Sequence, residues 1–160
     1  LETLAKENPE LHEWVISRLK PKVLVATQTK ILEVLPDPEG ILVPSTPTIS
    51  VECDEEDIWK ITAALSAPAV SASSFSITAG SALSSDTIKL SARQINEIPL
   101  PEDMLAWESA AYFAERAFKA ETEKEWKISL TQMAEKMGEA YKETDESLLE
   151  WWVGRVPRWR

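Results

Sequence analysis

The chain has 160 residues, 17 Lys and Arg against 27 Asp and Glu, a formal net charge of −10 and 44% hydrophobic residues, a soluble globular composition with room for one domain and little for two. One histidine (His12) and one cysteine (Cys53) exclude a zinc site, a disulfide framework and a Cys-x-x-Cys redox pair. The only glycines, Gly40, Gly80, Gly138 and Gly154, are isolated, which excludes a Gly-rich dinucleotide turn or phosphate loop and leaves a binding module, a piece of something larger, or an enzyme of unusual type.

Asn8 followed by Pro9 predicts a helix N-cap with proline at the first helical position; Leu11, Trp14, Val15 and Leu19 follow at helical spacing and Pro21 stops the helix. Residues 22–29 and 30–35 are rich in β-branched side chains and predict strands, separated by a turn at 36–40 from further strands at 41–43 and 48–51. The first third thus predicts a small antiparallel meander. Asp54 is placed to cap a helix whose apolar stripe is Ile58, Ile61, Thr62 and Leu65. Residues 66–85 then hold eight serines and five alanines, predicting a short helix near 70–77 and a loop. A strand at 87–90, a helical turn at 91–95 and an extended Ile98-Pro99-Leu100-Pro101 follow. Helices are predicted over 102–120, 126–137 and 147–153. The whole reads as α+β: a small, mostly antiparallel sheet flanked by helices over residues 1–101, with a helical extension over 102–160 packed on it.

No apolar run approaches the roughly 18 residues of a membrane span, and no signal peptide is visible. Opening on Leu1 suggests a piece of a longer protein, and the lack of cysteine pairs fits a reducing, cytoplasmic setting. Charge is uneven. Residues 14–32 carry Arg18, Lys20, Lys22 and Lys30 with no acid, while acids concentrate in 52–57 and 102–150.

Leu19-Lys20-Pro21-Lys22-Val23-Leu24-Val25 resembles the "(R/K)PKI(L/V)" strand opening the target-recognition region of adenine-specific (N-6) DNA methyltransferases of restriction-modification systems. Ala64-Leu65-Ser66-Ala67-Pro68 stands where that family has a helix ending in "LNS". The run from Leu90 to Pro101, ending Ile98-Pro99-Leu100-Pro101, is similar to its closing "(I/L)P(I/L)P". The likeness covers residues 14–101. The Asn of "LNS", the catalytic "(N/D)PP(Y/F)" tetrapeptide and the cofactor-binding glycines are absent. The resemblance therefore implies reading of double-stranded DNA without catalysis, beside a methyltransferase catalytic domain or subunit that binds S-adenosylmethionine. It implies no cofactor on this chain, and the residues themselves lead us to expect neither a metal nor a membrane.

Candidate DNA contacts follow from residue type. Lys20 and Lys22 suit phosphates, although Arg18 and Lys20 also suit a helix C-terminus. Gln28 can pair with an adenine edge and Lys30 with guanine, unless both are merely a solvated strand end. Thr78, Gly80, Ser81 and Ser84 belong to a small-residue segment that lets backbone approach DNA, or packs tightly as a helix. Lys89, Arg93 and Gln94 lie on the closing motif. The acidic cluster Glu52, Asp54, Glu55, Glu56 and Asp57 suits a helix start better than a metal, and His12 and Cys53 suit structural roles. Trp151, Trp152, Arg155, Arg158 and Trp159 form an aromatic-basic tail suited to docking a partner protein. The competing reading is an acidic, helix-rich protein-interaction or assembly module that does not bind DNA.

Overall fold

The computed structural model describes residues 1–26, 28–78 and 87–158. It is α+β. Two short helices, α1 (Glu2–Glu7) and α2 (Pro9–Arg18), open the chain. The Asn8 carboxamide accepts a hydrogen bond from the Leu11 N–H at 3.0 Å and Pro9 sits at the first helical position, as the local signals predict. Neither helix buries a residue.

Three strands follow: β1 (Lys22–Ala26), β2 (Val34–Asp37) and β3 (Thr48–Glu52). Their order is β2-β1-β3, both pairings antiparallel, with Leu24 opposite Leu35 on one side and Ser50 on the other. The predicted meander is corrected: β1 is central, and the chain crosses from one edge to the other between β2 and β3. Residues 41–43 form no strand. The Asp37 carboxylate accepts the N–H groups of Ile41 (3.1 Å) and Leu42 (3.0 Å), taking the donors a strand neighbour would need. The turn before them depends on Gly40. Its φ is +65°, and a Cβ there would lie 2.5 Å from the Lys20 carbonyl carbon.

A 3₁₀ turn at Glu55–Asp57 leads into α3 (Ile58–Ser66). Asp54 precedes the turn without a side-chain cap; its carbonyl takes the Asp57 N–H instead. Helix α4 (Pro68–Thr78) accounts for most of the described serine-rich segment, with Ser71, Ser74 and Thr78 facing inward. Ser71 Oγ accepts the Leu32 N–H at 3.2 Å, so a small hydroxyl satisfies a buried backbone donor where a larger side chain would hold the elements apart. The predicted strand at 87–90 is reduced to one bridge, Thr29 to Ile88. A capping box between Ser91 and Gln94 starts α5 (Ala92–Asn96).

Helices α6 (Met104–Phe118), α7 (Glu123–Tyr141) and α8 (Glu146–Val153) complete the chain, each begun by a capping side chain: Asp103, Thr122 and Asp145. Helix α6 buries Ala106, Ala110, Ala111, Ala114 and Ala117, a small-residue face that allows close helix packing. Trp107 Nε1 donates to the Lys60 carbonyl at 2.8 Å, fixing α6 on α3. The Tyr141 hydroxyl donates to the Pro99 carbonyl at 2.9 Å. One buried cluster joins Val23 and Val25 of β1, Ile58 and Leu65 of α3, Met133 and Met137 of α7, and Trp152 of α8. Among the described residues no single helix is long and apolar enough to cross a membrane.

Candidate nucleic-acid interface

The apolar run ending β1 gives way to Gln28 and Lys30, both exposed, while Ile31 and Leu32 directly after them are buried. The backbone turns here with a hydrogen bond from Thr29 Oγ1 to the Ile31 carbonyl. The Ile88 N–H donates to the Thr29 carbonyl at 2.7 Å, laying residues 87–89 against this turn. Ile88 and Leu90 point into the core and Lys89 points out. Buried isoleucines thus anchor an edge whose outer side carries Gln28, Lys30 and Lys89. The predictions at Gln28, Lys30 and Lys89 coincide on one surface. Nothing in the sequence links 28–30 to 87–89, because the bridge is a long-range pairing.

Several candidates make hydrogen bonds or ion pairs within the fold. Lys22 is 1% exposed. Its ammonium donates to Asp37 Oδ2 (2.5 Å) and to the carbonyls of Arg18 (2.9 Å) and Lys20 (3.0 Å), so its three donors are used within the fold and none is left for a phosphate. Burial alone would raise the Asp37 carboxyl, but the hydrogen bonds from Lys22 and from the Leu42 and Ile41 N–H groups outweigh it and hold that carboxyl below its ordinary value. Lys20 is exposed but lies 2.5 Å from a Glu52 carboxylate oxygen, and Arg18 lies 3.9 Å from the other oxygen of the same group. Three of the four cations in the basic stretch thus lie within ion-pair distance of an acid, Lys22 of Asp37 and both Lys20 and Arg18 of Glu52.

Thr78 is buried, its hydroxyl donating to the Ser74 carbonyl at 2.8 Å, which removes it as a DNA contact. Arg93 is exposed and paired with Glu97 at 2.8 Å. The Gln94 side-chain carbonyl accepts from the Ser91 N–H (2.9 Å) and hydroxyl (2.8 Å), so its acceptor serves the cap instead of a groove. Gly80, Ser81, Ser84 and Trp159 lie outside the described residues.

The aromatic tail is corrected as well. Trp152 is 2% exposed and belongs to the core. Trp151 is half-buried, edge-on to Phe75 of α4 with ring centroids 6.2 Å apart, and the Arg155 guanidinium stands 4.6 Å from its ring centroid. Arg155 also donates to the Trp151 carbonyl at 3.1 Å. The Trp151–Phe75 contact fastens α8 to α4, while Trp151 and Arg155 remain half-buried. Arg158 alone of the described tail residues named above is exposed.

Among the described residues no three His, Cys, Asp or Glu side chains gather where a metal ion would bind. The Cys53 thiol is half-buried, and burial, with Asp57 and Asp54 nearby, pushes its pKa up and keeps it protonated. No family model, curated protein or solved structure matches the chain.

Proposed function

We propose that this chain is the DNA target-recognition module of an adenine-specific methyltransferase of a restriction-modification system, reading duplex bases through the edge formed by residues 28–30 and 87–89. The observation that carries the reading is the Thr29–Ile88 bridge, which sets Gln28, Lys30 and Lys89 side by side on a buried apolar anchor. A carboxamide can pair with both N6 and N7 of adenine in the major groove, and lysines reach guanine or phosphate. A separate catalytic domain or subunit would bind S-adenosylmethionine and extract the target base. With two lysines on the edge, counterion release should be modest, a slope near about −2 in log affinity against log salt.

Selection from a random duplex library at low salt, repeated near physiological salt, tests this reading. Enrichment of a short sequence that weakens as salt rises is the expected result. Gln28→Ala should then cost roughly 1–3 kcal/mol at one base position and relax preference there, whereas Lys89→Ala should weaken all sequences alike. Failure to enrich any sequence at low salt would favour the alternative, an acidic interaction module. One observation favours that alternative: α1 and α2 bury nothing and leave Leu11, Trp14 and Ile16 each more than 40% exposed.

A further inference from the structure

The two edges of the sheet differ in what they offer another strand. The Ala26 N–H donates to the Glu33 carbonyl, so Lys22, Leu24 and Ala26 of β1 turn their peptide groups toward β2. By alternation Val23 and Val25 turn theirs toward Val51 and Ile49 of β3. On β2 the peptide groups of Val34 and Pro36 therefore point outward, and Pro36 has no N–H to offer, which blocks addition of a further strand. On β3 those of Thr48, Ser50 and Glu52 point outward, with no proline or bulge in the run and its one charge, Glu52, at the end. Among the described residues no strand pairs with that side. The Thr48 N–H is taken by the Ser45 carbonyl at 3.0 Å, whereas the Ser50 and Glu52 N–H groups have no backbone partner among the described residues.

The open edge complements itself when reversed. An antiparallel copy centred on Ser50 sets Ser50 opposite its counterpart, Ile49 opposite Val51 and Thr48 opposite Glu52. Ile49 and Val51, which pack against the core, then occupy non-hydrogen-bonded pairs, where opposed side chains come closest. Each Ser50 N–H meets the other Ser50 carbonyl and each Glu52 N–H the opposite Thr48 carbonyl, four backbone bonds that use the outward donors. The next registers that bring outward groups together pair only three of the five residues of β3. Like charges do not face one another: Glu52 meets Thr48, and its carboxylate lies 2.5 Å from Lys20 and 3.9 Å from Arg18 of its own chain.

We infer that β3 pairs antiparallel with β3 of a second copy of this chain across a two-fold axis at Ser50, joining two three-stranded sheets into one of six strands. A short strand on each side buries less than the roughly 1,200 Å² of a standard interface, so the dimer is weak and concentration-dependent. Sedimentation equilibrium of the full chain, from micromolar to millimolar concentration, should show monomer and dimer without larger species, since the remaining edges carry Pro36. Two chains of net charge −10 repel each other, so added salt should strengthen the dimer, the opposite of its effect on binding to a phosphate backbone. Ser50→Pro removes the central outward N–H without taking a donor from the β1 pairing, and should abolish the dimer with Tm little changed. Thr48→Lys and Thr48→Glu both lose the hydroxyl bond to the Ser45 carbonyl, and place opposite charges beside Glu52 of the second copy. The lysine variant should dimerise with a Kd about two- to thirtyfold below that of the glutamate variant, counting both symmetry-related pairs. If Ser50→Pro loses the fold, the Thr48 variants decide the matter. A monomer at every concentration, a dimer with the parent Kd in folded Ser50→Pro, or equal Kd in the two Thr48 variants overturns the proposal.

Discussion

Lys22 shows how a residue chosen for its charge can be absorbed by the fold. It opens the central strand directly opposite Asp37 on one side and Glu52 on the other, and its ammonium ties the end of α2 to β1 and β2. A buried pair of this kind contributes little relative to apolar residues of similar volume, but removing one partner strands the other charge. Asp37→Asn should therefore destabilise by about 3 kcal/mol in urea denaturation, at the lower end of the usual range because the carboxamide oxygen still accepts one bond. Lys22→Met with Asp37→Leu removes the stranded charge but also takes the acceptor from the Ile41 and Leu42 N–H groups, so it should recover only part of that loss. The pH dependence has a definite sign. The folded-state pKa of Asp37 is lowered, so its stabilisation is present above the ordinary carboxylate value of about 4 and is lost as pH falls through the folded value. The gap between the parent chain and Asp37→Asn should narrow on acidification, and a gap independent of pH would show that the ion pair is not its source.

Elements were legible in the sequence where their signals are local. Asn8, Pro9 and Pro21 bound α2, and Gly40 marks a turn because its positive φ and the nearby Lys20 backbone both demand glycine. Pairing was not legible. Lys22 and Asp37 are 15 residues apart, and the Leu32–Ser71 bond spans 39, so neither sheet order nor the ion pairing of Lys22 leaves a local trace. The same blindness affected the site: Gln28 and Lys30 were legible as exposed polar positions, but their juxtaposition with Lys89 depends on a bridge between distant segments. At α8, adjacent tryptophans and arginines suit an interface by composition, whereas helical geometry turns Trp152 inward and lets Arg155 cover Trp151. Truncating a core tryptophan removes its transfer free energy and leaves a cavity. Trp152→Ala should thus cost about 3–5 kcal/mol in thermal or urea unfolding, and an unchanged Tm would restore a docking role to that side chain.

At the scale of the whole molecule, the boundary between residues 1–101 and the helical extension is crossed by the core. Val23, Val25, Ile58 and Leu65 precede position 101, and Trp107, Met133, Met137 and Trp152 follow it, yet all belong to one buried cluster. The Trp107–Lys60 and Tyr141–Pro99 hydrogen bonds cross the same boundary. The three-stranded sheet has few partners of its own: α1 and α2 bury nothing, so its apolar cover comes from α3 and the helices behind it. A small sheet with one covering helix buries too little apolar surface to offset the entropy of ordering its chain. Residues 1–101 alone should therefore lack the near-ultraviolet circular dichroism of fixed tryptophans and show no cooperative thermal transition. The 160-residue chain should unfold in a single step, with fluorescence and far-ultraviolet signals coinciding. Two separated transitions, or a cooperatively folded 1–101 fragment, would show that the helices only decorate the sheet. Under the single-unit outcome, a substitution such as Met137→Ala, far in sequence from the edge bearing Gln28 and Lys89, should weaken the proposed DNA binding by lowering the folded population and leave any base preference unchanged.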